Sequence, residues 1–126
     1  MNIPVNLKYT KDHEWLKVEG DEAFIGISDH AQHELGDIVF IEVETVGETL
    51  AKGEAFGTIE AVKTVSDMFM PVGGEVLTFN EKLTTNPETL NQDPYEKGWV
   101  IKIKIADPAE INTLLDAAQY KELIQV

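Results

Sequence analysis

The sequence has no cysteine, few basic residues and no long apolar run, and each absence excludes a class of protein. Without cysteine there is no disulfide framework, thiolate zinc site, iron–sulfur cluster or cysteine nucleophile. With 10 Lys+Arg against 23 Asp+Glu, the formal net charge is −13, which argues against nucleic acid and anionic membrane surfaces as partners. No stretch approaches the roughly 18 apolar residues of a membrane span. The charge fits a protein that docks onto basic patches of other proteins.

Length and composition predict a folded protein. The chain has 126 residues, of which 43% are hydrophobic, and this suits a single domain over residues 1–126 despite the acidic charge. The segment Met1–Lys8 has neither the apolar region of a signal peptide nor an Arg-rich amphipathic run. We therefore expect a cytoplasmic protein, and its acidic charge makes a monomer the expected state.

Alternation of apolar and polar residues is the main pattern. Its clearest case is Trp99–Ile105, where Ile101, Ile103 and Ile105 share one face. Five further segments, rich in β-branched and aromatic residues, read as strands. They are Trp15–Val18, Ala23–Ile27, Ile38–Val43, Glu54–Ile59 and Glu75–Phe79. Many short strands separated by turn residues predict an all-β sandwich or barrel.

Helical signals are few and short. Ser28 predicts the cap of a helix that runs to about Leu35, and Asp107–Pro108 predicts the start of a C-terminal helix. The buried face expected for that C-terminal helix consists of Ile111, Leu114, Leu115 and Ala118. A second cap, at Asp116, could start another short helix that ends near Leu123. The segment Thr84–Gly98 is expected to be mostly loop, with one turn of helix.

Lys63 is the main candidate for a functional residue. The segment Glu54–Met70 reads as a hairpin with its turn near Val62–Thr64, which would hold Lys63 away from the body of the protein. Such a lysine suits acylation by another enzyme, because an amide removes the charge and creates a long flexible arm. Glu60 and Asp67 flank Lys63 and could be recognised by the modifying enzyme. Spacing alone also fits an ordinary solvated lysine, since exposed lysines are common.

Several blocks of the sequence resemble the glycine cleavage system H protein family. The segment Glu60–Asp67, followed by Pro71–Val76, resembles the family's lipoyl-lysine hairpin. Other matching blocks extend the resemblance from about residue 7 to residue 123, in the family's order and spacing. They are Tyr9–Trp15, Gly26–Gln32, Leu35–Phe40 and Asn91–Ile103. The resemblance implies a mainly β fold, the lipoyl/biotinyl-type β-sandwich (barrel-sandwich hybrid), with short helices and a C-terminal helix.

The resemblance implies a carrier and not an enzyme. Lys63 would bear lipoate in amide linkage, attached by a lipoate ligase or a lipoyl/octanoyl transferase. The expected partners are the pyridoxal-phosphate glycine decarboxylase (P protein), the tetrahydrofolate-dependent aminomethyltransferase (T protein) and dihydrolipoyl dehydrogenase (L protein). The tethered arm would raise the effective concentration of its thiol at each partner's site. Glu14 and Asp67 would line a surface cleft for the loaded arm, where a carboxylate suits a cationic amine.

Three alternatives remain at this point. Biotin carriers share the fold, but their modified lysine usually lies between two methionines, whereas Val62 and Thr64 flank Lys63. A lipoate-relay protein, which passes lipoate to 2-oxoacid dehydrogenases, would use Lys63 in the same way. His30 and His33 could share a metal ion from one helix face. We favour solvated surface histidines for that pair, because no third ligand has a fixed spacing.

Overall fold

The computed structural model describes residues 1–126, which form nine strands, four short α-helices and one 3-10 helix. The strands are β1 (Lys8–Tyr9), β2 (Glu14–Glu19), β3 (Glu22–Ile27), β4 (Ile38–Glu42), β5 (Thr49–Leu50), β6 (Ala55–Ala61), β7 (Val65–Phe69), β8 (Gly74–Phe79) and β9 (Ile101–Ile105). The helices are α1 (Asp29–Leu35), α2 (Lys82–Thr85), α3 (Thr89–Gln92), the 3-10 helix (Pro108–Thr113) and α4 (Ala117–Ile124). No helix has the length and apolar character needed to cross a membrane.

The strands form two antiparallel sheets. The larger sheet has six strands in the order β1-β2-β3-β9-β8-β5, and the smaller has three in the order β4-β6-β7. Buried apolar side chains from both sheets, including Ile25, Ile59 and Ile103, belong to one core cluster of 21 residues. Burial of this apolar surface is the main stabilising contribution to the fold. The predicted mainly β sandwich with short helices is confirmed.

The alternating pattern predicted the strands well. Ile101, Ile103 and Ile105 are buried, whereas Lys102 and Lys104 lie on the other face of β9. All six predicted strands are present, with small changes at their ends. The two-residue strands β1 and β5 were not predicted, because so short a segment carries no periodicity.

A second apolar cluster lies on the other face of the larger sheet from the main core. It consists of Ile3, Leu7, Tyr9, Trp15, Ala117 and Tyr120. The rings of Tyr9 and Tyr120 stack in parallel with centroids 4.6 Å apart. Trp15 lies across its strand partner Gly26, where an added Cβ would come within 2.6 Å of the indole ring. The C-terminal helix α4 is thereby packed against the N-terminal strands.

The predicted single helical face after Pro108 is wrong. A 3-10 helix ends at Thr113, and Leu115 is extended, because its backbone N–H and C=O pair with those of Tyr9 at 2.9 and 2.8 Å. The chain then begins α4 with a capping box, in which Asp116 and Gln119 bond to each other's backbone N–H groups. The second cap expected at Asp116 is therefore confirmed. The segment Thr84–Gly98 is mostly loop and contains one turn of helix, α3, as predicted, together with the last two residues of α2.

Candidate functional site

The predicted hairpin is formed by β6 and β7. Its loop consists of Val62 and Lys63, and the Ala61 N–H donates to the Thr64 carbonyl at 2.8 Å. The Val62 N–H donates to the carbonyl of Asp37 at 2.9 Å, just before β4. The hairpin tip is therefore fixed by the neighbouring strand as well as by its own ladder.

Lys63 lies exposed at this tip, as predicted. The four ion pairs of the structure involve other residues, so its ammonium group has no carboxylate partner. Its side chain passes over Gly36, the residue that ends α1 with a φ of 76°. A Cβ at that position would lie 3.5 Å from Lys63 Cε, an ordinary contact distance, so the positive φ and not crowding by Lys63 favours glycine here. The predicted end of the helix near Leu35 is confirmed, but the approach of Lys63 to it was not predicted.

Glu14 is only 2% exposed and lies at the start of β2. The Thr10 hydroxyl donates to its Oε1 at 2.6 Å, and the Phe69 N–H donates to its Oε2 at 3.1 Å. Burial nevertheless raises the pKa of Glu14 to about 7, because the two hydrogen bonds, which lower the pKa, are smaller effects, and the nearby charge of Asp12 raises it further. The carboxyl group therefore changes its charge near neutral pH. Thr10 and Phe69 were not predicted as its partners, because their approach depends on the fold.

A cleft of about 430 Å³ opens beside Glu14. Its polar lining includes Thr10, Lys11 and Asp12, and its apolar lining includes Phe69. Lys11 and Lys52 line the cleft together with Asp12 and Glu14, so its lining carries charges of both signs.

Asp67 and Glu60 lie on the outer face of the smaller sheet. Asp67 lines a separate depression of about 220 Å³ with Glu42 and Thr58, which are its cross-strand neighbours. The structure therefore does not place Asp67 in the same cavity as Glu14. Asp67 is connected to Glu14 through β7, because Asp67 is two residues from Phe69, whose backbone N–H donates to Glu14. Glu60 is exposed and has no cation partner.

Three polar side chains connect α4, α1 and the turn before Glu14. The Tyr120 hydroxyl lies 2.8 Å from His13 Nδ1 and 2.7 Å from Ser28 Oγ. Ser28 in turn caps α1 by accepting from the Ala31 N–H at 3.1 Å. His13 is held at a φ of 70°, and burial and the nearby His30 lower its pKa. This network positions α1, whose end lies against Lys63.

The histidines of α1 do not converge on a common point. His30 pairs with Glu34 and His33 pairs with Asp29, each with an N–O distance of 3.6 Å. The structure contains no group of three His, Asp or Glu side chains that could hold a metal ion.

The family model, the relatives and the solved structure that match this chain all carry the same family description. The family model described as glycine cleavage H-protein matches residues 7–126. The chain is 59% identical to the glycine cleavage system H protein of Bacteroides thetaiotaomicron over 124 residues, which cover 98% of both chains. It is 52% identical to the H protein of Halothermothrix orenii, with 99% of this chain and 98% of the relative covered. The crystal structure of the H protein of Mycobacterium marinum superposes with a TM-score of 0.90 at 35% identity, covering 98% of this chain and 100% of that one.

Proposed function

The chain belongs to the glycine cleavage H-protein family, and from this we propose that it is the lipoyl carrier of a glycine cleavage system, with lipoate in amide linkage to Lys63. The single observation that supports the attachment site most directly is the exposed Lys63 amine at the tip of a fixed hairpin. A carrier lysine has to be accessible to a modifying enzyme and then to several partners. The carrier itself needs no catalytic group.

Attachment requires only a nucleophilic amine from this chain. The unprotonated Nζ of Lys63 attacks the carbonyl carbon of an activated lipoyl group, in which the acyl carbon is bonded to an adenylate or a thiol. The new amide bond forms, the bond to the activating group breaks, and Nζ loses one proton. No carboxylate of this chain pairs with Lys63, so no ion pair has to be broken before its amine enters a modifying enzyme.

When bound, the lipoyl group would supply a disulfide that accepts the aminomethyl unit of glycine. The dithiol that remains after the unit is released would then be reoxidised to the disulfide. We propose that Glu14 holds the amine of that unit in the cleft beside β2. The Thr10 and Phe69 donors fix the orientation of its carboxyl group. The raised pKa makes this attraction weaken as the pH falls below about 7. Asp67 lines a different depression and would contact the lipoyl arm nearer the hairpin.

We propose that the chain acts with the other components of the glycine cleavage system. These are the glycine decarboxylase that loads the arm, the aminomethyltransferase that unloads it and the dihydrolipoyl dehydrogenase that reoxidises it. A lipoate ligase or a lipoyl/octanoyl transferase would modify Lys63. The net charge of −13 supports docking onto basic surfaces, since opposite charges speed association. The expected location is the cytoplasm and the expected state a monomer.

The test is an intact mass of the protein from cells that make lipoate, followed by peptide mapping across Lys63. We expect one lipoyl group per chain, on that residue. Lys104, which is exposed on β9, provides the internal control and should be unmodified. A biotinyl group at Lys63 would assign the chain to the carboxylase carriers, and an unmodified Lys63 would contradict the carrier function.

A further inference from the structure

Four exposed apolar side chains lie on the hairpin that carries Lys63 and on the adjacent strand β4. Val62 is 75% exposed and Val65 is 64% exposed, although each lies within two residues of the lysine. Val39 and Phe40, on the adjacent strand, are 50% and 49% exposed. We call these four residues the apolar collar. Large exposed apolar side chains grouped in one patch indicate an interaction surface, whereas scattered ones do not.

A β-bulge and the strand register bring the collar together. The register of β4 against β6 shifts between Ile38 and Phe40, so two consecutive residues, Val39 and Phe40, both face solvent. Phe40 lies opposite Glu60, which lies opposite Val65, and cross-strand partners share a face. Phe40 and Val65 therefore lie in one row on the outer face, with a carboxylate between them.

Carboxylates lie within the apolar collar, at Glu60, and in the row beside it. The adjacent row on the same face consists of Glu42, Thr58 and Asp67. None of its acids, nor Glu60, has a cation partner within the chain. A surface that fits this face would be apolar opposite the four collar residues and positively charged opposite Glu60 and Asp67.

The short reach of an unmodified lysine identifies the partner. An extended lysine side chain carries Nζ no more than about 6 Å from Cα, taking the advance per bond of an extended backbone. An enzyme that bonds to Nζ must therefore close around the hairpin tip. A lipoyl amide is about twice as long, so enzymes that act on its sulfur atoms need not contact the tip.

We propose that the enzyme which acylates Lys63 binds the collar of Val39, Phe40, Val62 and Val65 in an apolar recess, with Lys or Arg side chains opposite Glu60 and Asp67. This inference rests on the proposed function, because it requires that Lys63 is the acylated residue. Aromatic anchors near the centre of an interface commonly contribute most of its binding energy. Phe40 is the aromatic residue of the collar and should contribute most.

The test measures lipoylation of the purified apo protein by a lipoate–protein ligase with ATP and lipoate, followed by mass spectrometry. In Phe40→Ser/Val65→Ser we expect kcat/KM to fall at least tenfold, mainly through KM. Phe40→Leu/Val65→Ile keeps the apolar surface and should stay within about threefold of wild type. Val18→Ser, at an exposed strand valine of the larger sheet that is 42% exposed, is the matched control and should leave kcat/KM within twofold.

The outcomes separate the two proposals. If the wild-type protein is not lipoylated at Lys63, the proposed function fails. If it is lipoylated and the double serine variant reacts equally fast, only the collar proposal fails. Should that variant not fold, as judged by circular dichroism, Val62→Ser replaces it. Val62 is the most exposed of the four, and the expected loss is then at least threefold.

The proposed Lys or Arg side chains opposite Glu60 and Asp67 have their own readout. The KM of the ligase should rise with salt, because attraction between exposed charges is screened over about 10 Å at 0.1 M. Glu60→Gln should raise KM at low salt and reduce its salt dependence, whereas Glu75→Gln, at an exposed acid of β8, should do neither. A KM that does not change with salt would overturn the proposal of basic side chains opposite these carboxylates.

Discussion

The outer faces of the two sheets differ in what covers them. On the larger sheet, Trp15 and Tyr9 are buried under Tyr120 of α4. On the smaller sheet, the outward-facing side chains of β4, β6 and β7 are exposed, and they include Phe40 and Val65. Both sheets bury their inner faces in the same core. The difference indicates that the covered part of the larger sheet's outer face, at β1 and β2, serves stability, whereas the outer face of the smaller sheet is left free around Lys63.

Strand β7 has one face in the core and one face exposed to solvent. Met68 is buried in the core, whereas Val65 is exposed on the outer face. Met68→Ala should lower the free energy of unfolding by about 2–5 kcal/mol, because it removes buried apolar volume and leaves a cavity. Val65→Ala should change it by less than about 0.5 kcal/mol. Urea denaturation of both variants measures the difference, and equal losses would mean that the outer face of β7 is packed in solution.

The cover over the larger sheet is tested by Tyr120→Phe. This change keeps the ring that stacks on Tyr9 and removes the hydroxyl that contacts His13 and Ser28. We expect a loss of about 1–2 kcal/mol, because buried polar atoms lose a hydrogen-bond partner. Amide hydrogen exchange should rise in α1, whose cap includes Ser28. Unchanged exchange there would show that the network does not position the helix.

Much of the fold could be predicted from local pattern. Alternating residues located Ile101–Ile105 and the hairpin around Lys63, because a strand with one buried face has a period of two. The helix expected from Ile111 onward was wrong because a long-range backbone pair between Tyr9 and Leu115 competes with it. Such a pair cannot be inferred from the spacing of residues along the chain.

The candidate site was only partly predictable for the same reason. Lys63 was found from its position in a hairpin and from the family resemblance. The contacts of Glu14 come from Thr10, in the preceding turn, and Phe69, which lies 55 residues away in sequence. The exposure of Val39 beside Phe40 depends on a bulge, which the alternating pattern of β4 does not reveal. Bulges and long-range contacts are set by packing of the whole chain.

Glu14 joins the two regions, because it extends from the larger sheet to the Phe69 N–H of the smaller one. Its folded-state pKa of about 7 lies above its ordinary value of 4.5. The folded state therefore binds an extra proton between these values, and the stability that this proton provides is lost as the pH rises through about 7. From pH 6 to pH 8, Glu14→Gln should gain about 1–2 kcal/mol relative to wild type, since one pKa unit corresponds to 1.36 kcal/mol. Denaturation at both pH values measures it, and His13 contributes to both proteins alike.

The smallest effect on stability is expected at Lys63, where function is expected to be lost completely. Lys63→Arg keeps the charge and removes the amine that can be acylated, so we expect no lipoyl group and no glycine cleavage in a reconstituted assay. Because the side chain makes no hydrogen bond and no ion pair, the free energy of unfolding should change by less than about 0.5 kcal/mol. Lys104→Arg, at the exposed face of β9, should change neither quantity. Full activity of Lys63→Arg would show that the carrier residue is another one. A large loss of stability would instead mean that the contact of Lys63 with Gly36 supports the fold, and that the free face is less free than its exposure indicates.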